Sequence, residues 1–263
     1  MKTLETNSNL LTTPTQTYEH LGEGKRVTLV GVTHYAQRED YYPTIQDIID
    51  TNEDKGAAVH YEAFTLSTDK EIRAARPNFL VRKRIKMLRQ IREATLADEA
   101  RMAGEFNVIL QDEGIAKGET WEAKDIADLE AAQQLRVRDI WFPWVASKVA
   151  EKNAEAATSE KRLEMLQQRV SMLIKNGRDY VPSPIREFRR TMVDYRNGVA
   201  LNAYDQLQAA EPGRDAVLLW GAAHIAGLGE GLIERGFVKK DEQLFVAIDV
   251  GALALRSADP LNN

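Results

Sequence analysis

The sequence predicts an α/β protein: a mostly parallel central sheet flanked by helices, with a large helical insertion before the last strands. Three observations carry that expectation. Two short apolar runs, Arg26-Val-Thr-Leu-Val-Gly31 and Ala216-Val-Leu-Leu-Trp-Gly221, each stop at a glycine, as strands covered on both faces of a parallel sheet do. Segments with apolar residues at helical spacing separate such runs, and parallel strands need crossovers of that kind. Finally, each glycine is followed three positions later by a histidine, His34 in one case and His224 in the other. In open α/β sheets ligands gather beyond the carboxyl ends of the strands. The two histidines, about 190 residues apart in sequence, are therefore expected at one edge.

Taken in order, residues 1–17 are polar and rich in Ser, Thr and Asn, which predicts a flexible tail. Residues 18–256 are expected to form one domain. After the first strand, Ile45, Ile48 and Ile49 in residues 42–52 predict a first crossover helix, and Ala57-Ala-Val-His-Tyr-Glu62 a second strand. Leu80, Ile85, Leu88, Ile91 and Leu96 mark residues 69–105 as helical, and residues 107–111 read as a third strand closing on Asp112-Glu113-Gly114. A helical insertion spans about 120–212. Interruptions are expected near Phe142-Pro143-Trp144, at Asn176-Gly177 and at Pro182-Ser-Pro184. The strand into His224, a helix over 229–235 and a last strand over 243–250 complete the chain.

Composition narrows the function classes. Hydrophobic content of 43% and charged content of 29% are those of an ordinary globular protein. A net charge of −5 argues against bulk affinity for nucleic acid or for an anionic membrane. The chain has no cysteine, which excludes disulfides, thiolate zinc sites and a cysteine nucleophile. With no apolar run near the ~20 residues a membrane helix needs and no signal-peptide core, a soluble cytoplasmic protein is expected. A G-x-S-x-G elbow is lacking, so a nucleophilic serine of that type is not expected.

The chemistry-bearing candidates follow from the strand ends. Glu62 closes the second strand and should reach the edge that holds His34 and His224. Two imidazoles and a carboxylate can ligate a divalent metal, or the acid can orient or tune a histidine base in a metal-free hydrolase. His60, two residues earlier on the same pleat face, reads as a fourth ligand or a buried histidine. Asp112 and Glu113 close the third strand at the same edge. In Asp194-Tyr-Arg-Asn197, Arg196 is a candidate to hold substrate carboxylate or developing negative charge, with Asn197, Arg38 and Asp112 as substrate-binding candidates. Gly227-Leu-Gly-Glu-Gly231 lacks the G-x-G-x-x-G spacing of a dinucleotide loop. The basic run Arg82 to Arg92 reads as the solvated face of an amphipathic helix, and Trp141 and Trp144 as packing residues.

With these residues in place, the chain resembles the TraB/PrgY/Tiki family, within the superfamily that also holds ChaN-like and erythromycin-esterase-like proteins. Leu29-Val-Gly-Val-Thr-His34 resembles that family's opening "LGTAH" phrase, and Val59-His-Tyr-Glu62 its strand ending in glutamate. The helix-to-strand segment from Leu96 to Asp112 resembles the one closing on Asp. Tyr195-Arg-Asn197 is similar to its "ERN" element, with Tyr195 in place of the acid, and Trp220-Gly-Ala-Ala-His-Ile-Ala-Gly227 resembles its "GAGHLPG" phrase. The resemblance implies an α/β fold with both Gly-x-x-His phrases in one pocket, and roles for His34, Glu62, Arg196, Asn197, His224 and Asp112. Its Tiki branch implies metal-dependent proteolysis with manganese or cobalt, and its esterase-like branch hydrolysis by a histidine-activated water. The membrane segments of TraB/PrgY and Tiki members are lacking, and residues 116–184 carry no family phrase. The expectation is a soluble hydrolase, foremost a peptidase with a divalent ion (Mn or Co, or Zn) held by His34, Glu62 and His224. Its expected partner is a peptide or small-molecule substrate. The alternatives are the metal-free hydrolase and a protein that sequesters a peptide or small ligand.

Overall fold

A computed structural model describes residues 9–176 and 186–255 of the chain. Six strands form the main sheet: β1 (Leu10–His20), β2 (Arg26–Val32), β4 (Ala58–Tyr61), β6 (Glu122–Ala123), β7 (Ala216–Gly221) and β8 (Phe237–Asp249), in the spatial order β6-β4-β7-β2-β1-β8. The first four in that order are mutually parallel, whereas β1 runs antiparallel to both β2 and β8. A separate two-stranded ladder joins β3 (Tyr35–Ala36) to β5 (Ile109–Leu110). The expected α/β class with a mostly parallel central sheet is what the chain adopts.

Strand alternation divides the core into two layers. Val30, Val32, Val59, Val217 and Leu219 pack on one face against helix α1 (Tyr41–Glu53) through Ile45 and Ile49. On the other face Leu29, Leu218 and Trp220 meet α9 (Arg196–Ala210) and α10 (Ile225–Glu234) through Leu201, Tyr204 and Leu228. Both faces are dry, so neighbouring residues of β2 and β7 are buried alike and no polar alternation is seen. A third apolar cluster lies outside the sheet. It joins α3 (Phe79–Glu105), α5 (Asp128–Gln134) and α6 (Val137–Ala156) through Leu88, Ile126, Leu135 and Ile140, and α2 (Asp69–Ala75) packs against it through Ile72.

Several expectations are corrected. Residues 10–17 are not a tail: they belong to β1, whose Thr13 and Thr15 are buried. The third expected strand contributes only two residues, and they pair with β3 rather than with the main sheet. Asp112 and Glu113 therefore sit in a single helical turn, α4 (Gln111–Gly114), instead of at a sheet edge. Pro143 does not interrupt α6, which runs through it. Helix α7 (Ser159–Asn176) runs to the edge of the described residues, and Gly177 and Pro182-Ser-Pro184 lie outside them. The basic run is only partly solvated, because Arg84 turns to the Leu135 carbonyl, and Arg89 to Asp128 and the Ser67 carbonyl. Trp144 is a packing residue, hydrogen-bonded to Gln90, whereas Trp141 is exposed.

Glycine at the strand ends has a different purpose from the one backbone conformation suggests. Neither Gly31 nor Gly221 is among the positive-φ residues. A Cβ on Gly31 would stand 2.8 Å from the Pro14 carbonyl oxygen and 2.9 Å from Ile225 Cγ1, so the bare backbone lets β1 and α10 close on the sheet. A Cβ on Gly221 would stand 3.1 Å from Glu62 Oε2. That second approach matters for the site.

Candidate functional site

The carboxyl ends of the four parallel strands lie side by side, and each is followed by an ionisable residue. Asp125 follows β6, Glu62 follows β4, His224 follows β7 and His34 follows β2. The ladder continues past the strands themselves: the Glu62 N–H donates to the Leu219 carbonyl (3.0 Å) and the Ala222 N–H to the Val32 carbonyl (2.7 Å). Three of these four residues form one network, with α9 as its lid.

Arg196 is the hub. Its Nη2 donates to Glu62 Oε1 (2.6 Å) and Asp125 Oδ2 (2.5 Å), its Nε to Asp125 Oδ1 (2.8 Å), and its Nη1 to the Met192 carbonyl (3.2 Å). A π-helical turn over Thr191–Tyr195 immediately precedes Arg196. Such wide turns shift the side-chain phase of a helix and recur at functional sites. Here the adjacent residues Arg196 and Asn197 are both buried at the sheet edge. Asn197 Oδ1 lies 2.7 Å from His224 Nδ1, and His224 Nε2 lies 3.7 Å from Glu62 Oε1. The other Glu62 oxygen accepts the Gly221 N–H at 2.6 Å, which the missing Cβ of that glycine permits. His224 is 4% exposed. The network reaches solvent through Glu62 and the turn at Ala223.

The electrostatics follow from burial set against charge. Burial works to raise the Glu62 carboxyl, but Arg196, His224 and the Gly221 N–H together outweigh it and hold the group below the usual carboxylate range. Burial first, then the Arg196 charge, lowers the His224 imidazole despite the pull of Glu62, favouring the neutral ring. Arg196 is raised further above its usual value: burial opposes this, and Asp125 and Glu62 overcome it. With Asn197 Oδ1 as acceptor, the neutral His224 carries its proton on Nδ1 and leaves Nε2 as an unprotonated base facing Glu62.

The sequence-derived residues divide accordingly. Glu62, Arg196, Asn197 and His224 come together. Asp125, which sequence reasoning missed, joins them, because its strand is two residues long and lies in the stretch without a recognisable phrase. His34 leaves the same edge but turns away: its side chain is 70% exposed and pairs with Glu99 on α3 at 3.5 Å. Glu99 is held above the usual carboxylate range chiefly by burial. Among the described residues no hydrogen bond or ion pair joins His34 to Glu62 or to His224. Asp112 is exposed and pairs with Lys117, and Arg38 is exposed and forked onto Asp40. Neither reaches the network. His60 is buried with Nδ1 unpartnered, in the core rather than at the edge. The glycines of residues 227–231 lie inside α10 and serve close packing, Gly227 against Asn197 and Gly231 against Leu201.

Donor atoms of the expected metal centre are already committed. Both Glu62 oxygens already accept N–H donors, a guanidinium stands where a cation would be repelled, and His34 faces another carboxylate. Among the described residues no group of three or more His, Asp and Glu side chains is placed to hold an ion. The residues as arranged therefore do not fit a three-ligand divalent centre. No helix among the described residues is long and apolar enough to cross a membrane. No family model, curated protein or solved structure matches the chain.

Proposed function

We propose that the protein is a hydrolase of ester or amide bonds that uses His224 as its general base, without a metal ion. The observation carrying this reading is the placement of His224: a buried imidazole at the carboxyl edge of parallel strands, Nδ1 held by Asn197 and Nε2 beside a carboxylate. In the reaction, Nε2 takes a proton from water as the oxygen attacks the acyl carbon. The imidazolium so formed is favoured by Glu62 at 3.7 Å and returns its proton to the departing alcohol or amine. Water is consumed, the acyl bond breaks, and an acid is released. Arg196, fully engaged by Glu62, Asp125 and a carbonyl, is a positioning residue that fixes the Glu62 carboxylate rather than a free substrate clamp.

The test is turnover of a p-nitrophenyl ester series and a peptide library by the wild-type protein, His224→Gln and Asn197→Ala. His224→Gln is expected to lower kcat/KM by about 10²–10⁴-fold, the usual contribution of a general base. Activity should survive chelator treatment and gain nothing from added manganese, cobalt or zinc. Undiminished hydrolysis in His224→Gln overturns the reading, and activity that vanishes on chelation and returns with one ion favours the metal-dependent alternative.

A further inference from the structure

A groove of two adjoining cavities lies beyond this edge, lined by none of the network residues themselves. One cavity of 560 Å³ opens beside Thr65 and Ala127, which bridge each other just beyond Glu62 and Asp125. A second, of 660 Å³, shares Gln134 and Tyr195 with it as lining residues. Tyr195 is the residue before Arg196 and is oriented by donating its hydroxyl proton to Glu130 Oε1 at 2.8 Å. The groove and the His224 network are thus built on the same turn of chain.

The far arm is polar and carries a positive excess. Arg136, Arg138 and Arg190 line it, against Asp139 and Asp194. Asp139 is already engaged, accepting the Arg136 N–H at 2.9 Å and standing 3.5 Å from Arg138 Nε. Arg136 and Arg190 are exposed and make no ion pair with any described residue. Two guanidiniums from different elements, α6's start and α8 (Arg186–Arg190), therefore face one space without a carboxylate of their own. Arginine's planar fork suits carboxylate and phosphate oxygens.

We infer that this groove is the substrate cleft and that the substrate bears an anionic group, seated between Arg136 and Arg190 while its acyl bond lies toward His224. The inference rests on the proposed hydrolase reading for the direction of the substrate but not for the anion site itself. Glu71 and Glu130 line the near arm and disfavour a second negative charge there, so the substrate is anionic at one end only.

Two arms test it. The first needs no turnover: glutarate and inorganic phosphate are titrated separately by calorimetry and amide NMR into the wild-type protein and into Arg136→Gln/Arg190→Gln. Saturable binding of at least one anion, weakened about tenfold or more in the double variant, is expected, with shifts at Tyr195. Which anion binds tells carboxylate from phosphate. Lys55→Gln/Lys152→Gln, which removes the same charge from exposed positions elsewhere, should bind as wild type. Binding by neither anion, equal binding in both proteins, or an equal loss in the control overturns the site. The second arm compares p-nitrophenyl hemiglutarate with p-nitrophenyl butyrate. The anionic-to-neutral ratio of kcat/KM should fall about tenfold or more in the double variant, and an unchanged ratio contradicts the cleft assignment. If no ester is turned over by either protein, the hydrolase reading fails while the first arm still decides the anion site.

Discussion

At the scale of single residues, the site is a charge-compensation problem. Glu62 and Asp125 are largely shielded from water, and one guanidinium serves both. Removing the shared cation leaves two buried carboxylates without their counter-charge, and breaking a buried pair in that way costs about 3–5 kcal/mol. Arg196→Met is therefore expected to lower the unfolding free energy by that order, measured by urea denaturation. A loss below about 0.5 kcal/mol, typical of a surface substitution, would show that the pair is solvated. Of this network, Glu62, Arg196, Asn197 and His224 were legible in the sequence, because each sits at a strand end or beside a recognisable phrase. Their roles were less so. Arg196 reads as a free cation until its partners are seen, and Asp125 has no local signal at all. His34 shows the limit of reading register alone: strand order places its backbone correctly, but its side chain follows a nearby glutamate on α3.

At the scale of elements, the apolar runs of β2 and β7 announced themselves because both sheet faces are covered. β1 did not. Its run Thr12-Thr-Pro-Thr-Gln-Thr17 reads as polar, and Pro14 argues against an interior strand. The contradiction resolves in the register. Pairing of β1 with β2 begins only at Thr15, so at Pro14 the strand is unpaired on its β2 side, an edge-like position of the kind that accepts proline. The outermost strand β8 is protected from further pairing by Lys239 and Lys240 and by an irregularity opposite Thr17 and Tyr18, devices that blunt exposed edges. At Gly31 the strands β1 and β2 and helix α10 come close together. Gly31→Ala drives a methyl against a backbone oxygen that cannot yield, and is expected to cost about 1–3 kcal/mol as overpacking. Denaturant unfolding checks this, and an unchanged or raised midpoint would mean that β1 can shift aside.

For the whole molecule, buried histidines set how the fold responds to acid. His224 and His60 both titrate below the ordinary value of 6.5, burial being the first cause in each. Below that value the unfolded chain binds protons that the folded one refuses. Their stabilisation is therefore complete above about pH 6.5 and is lost as pH falls through the folded values. Glu62, held below its ordinary 4.5, adds a second loss below that pH, while Glu99, raised mainly by burial, gains stability as pH falls toward 4.5 and so offsets part of the histidine loss. Urea unfolding should show stability level between pH 8 and 7 and declining from pH 6.5 to 5, with a shallower decline in His60→Asn. A wild-type profile that rises on acidification contradicts the assignment of these rings as buried and neutral. The proposed chemistry depends on the state of one imidazole, and long-range ¹H–¹⁵N NMR of the histidine side chains across pH 4–8, with His224→Gln to assign the signals, reports that state directly. The expected result is a proton on Nδ1, a free Nε2 and a titration midpoint below 6.5 for His224. A proton on Nε2, or a midpoint above 6.5, would contradict it.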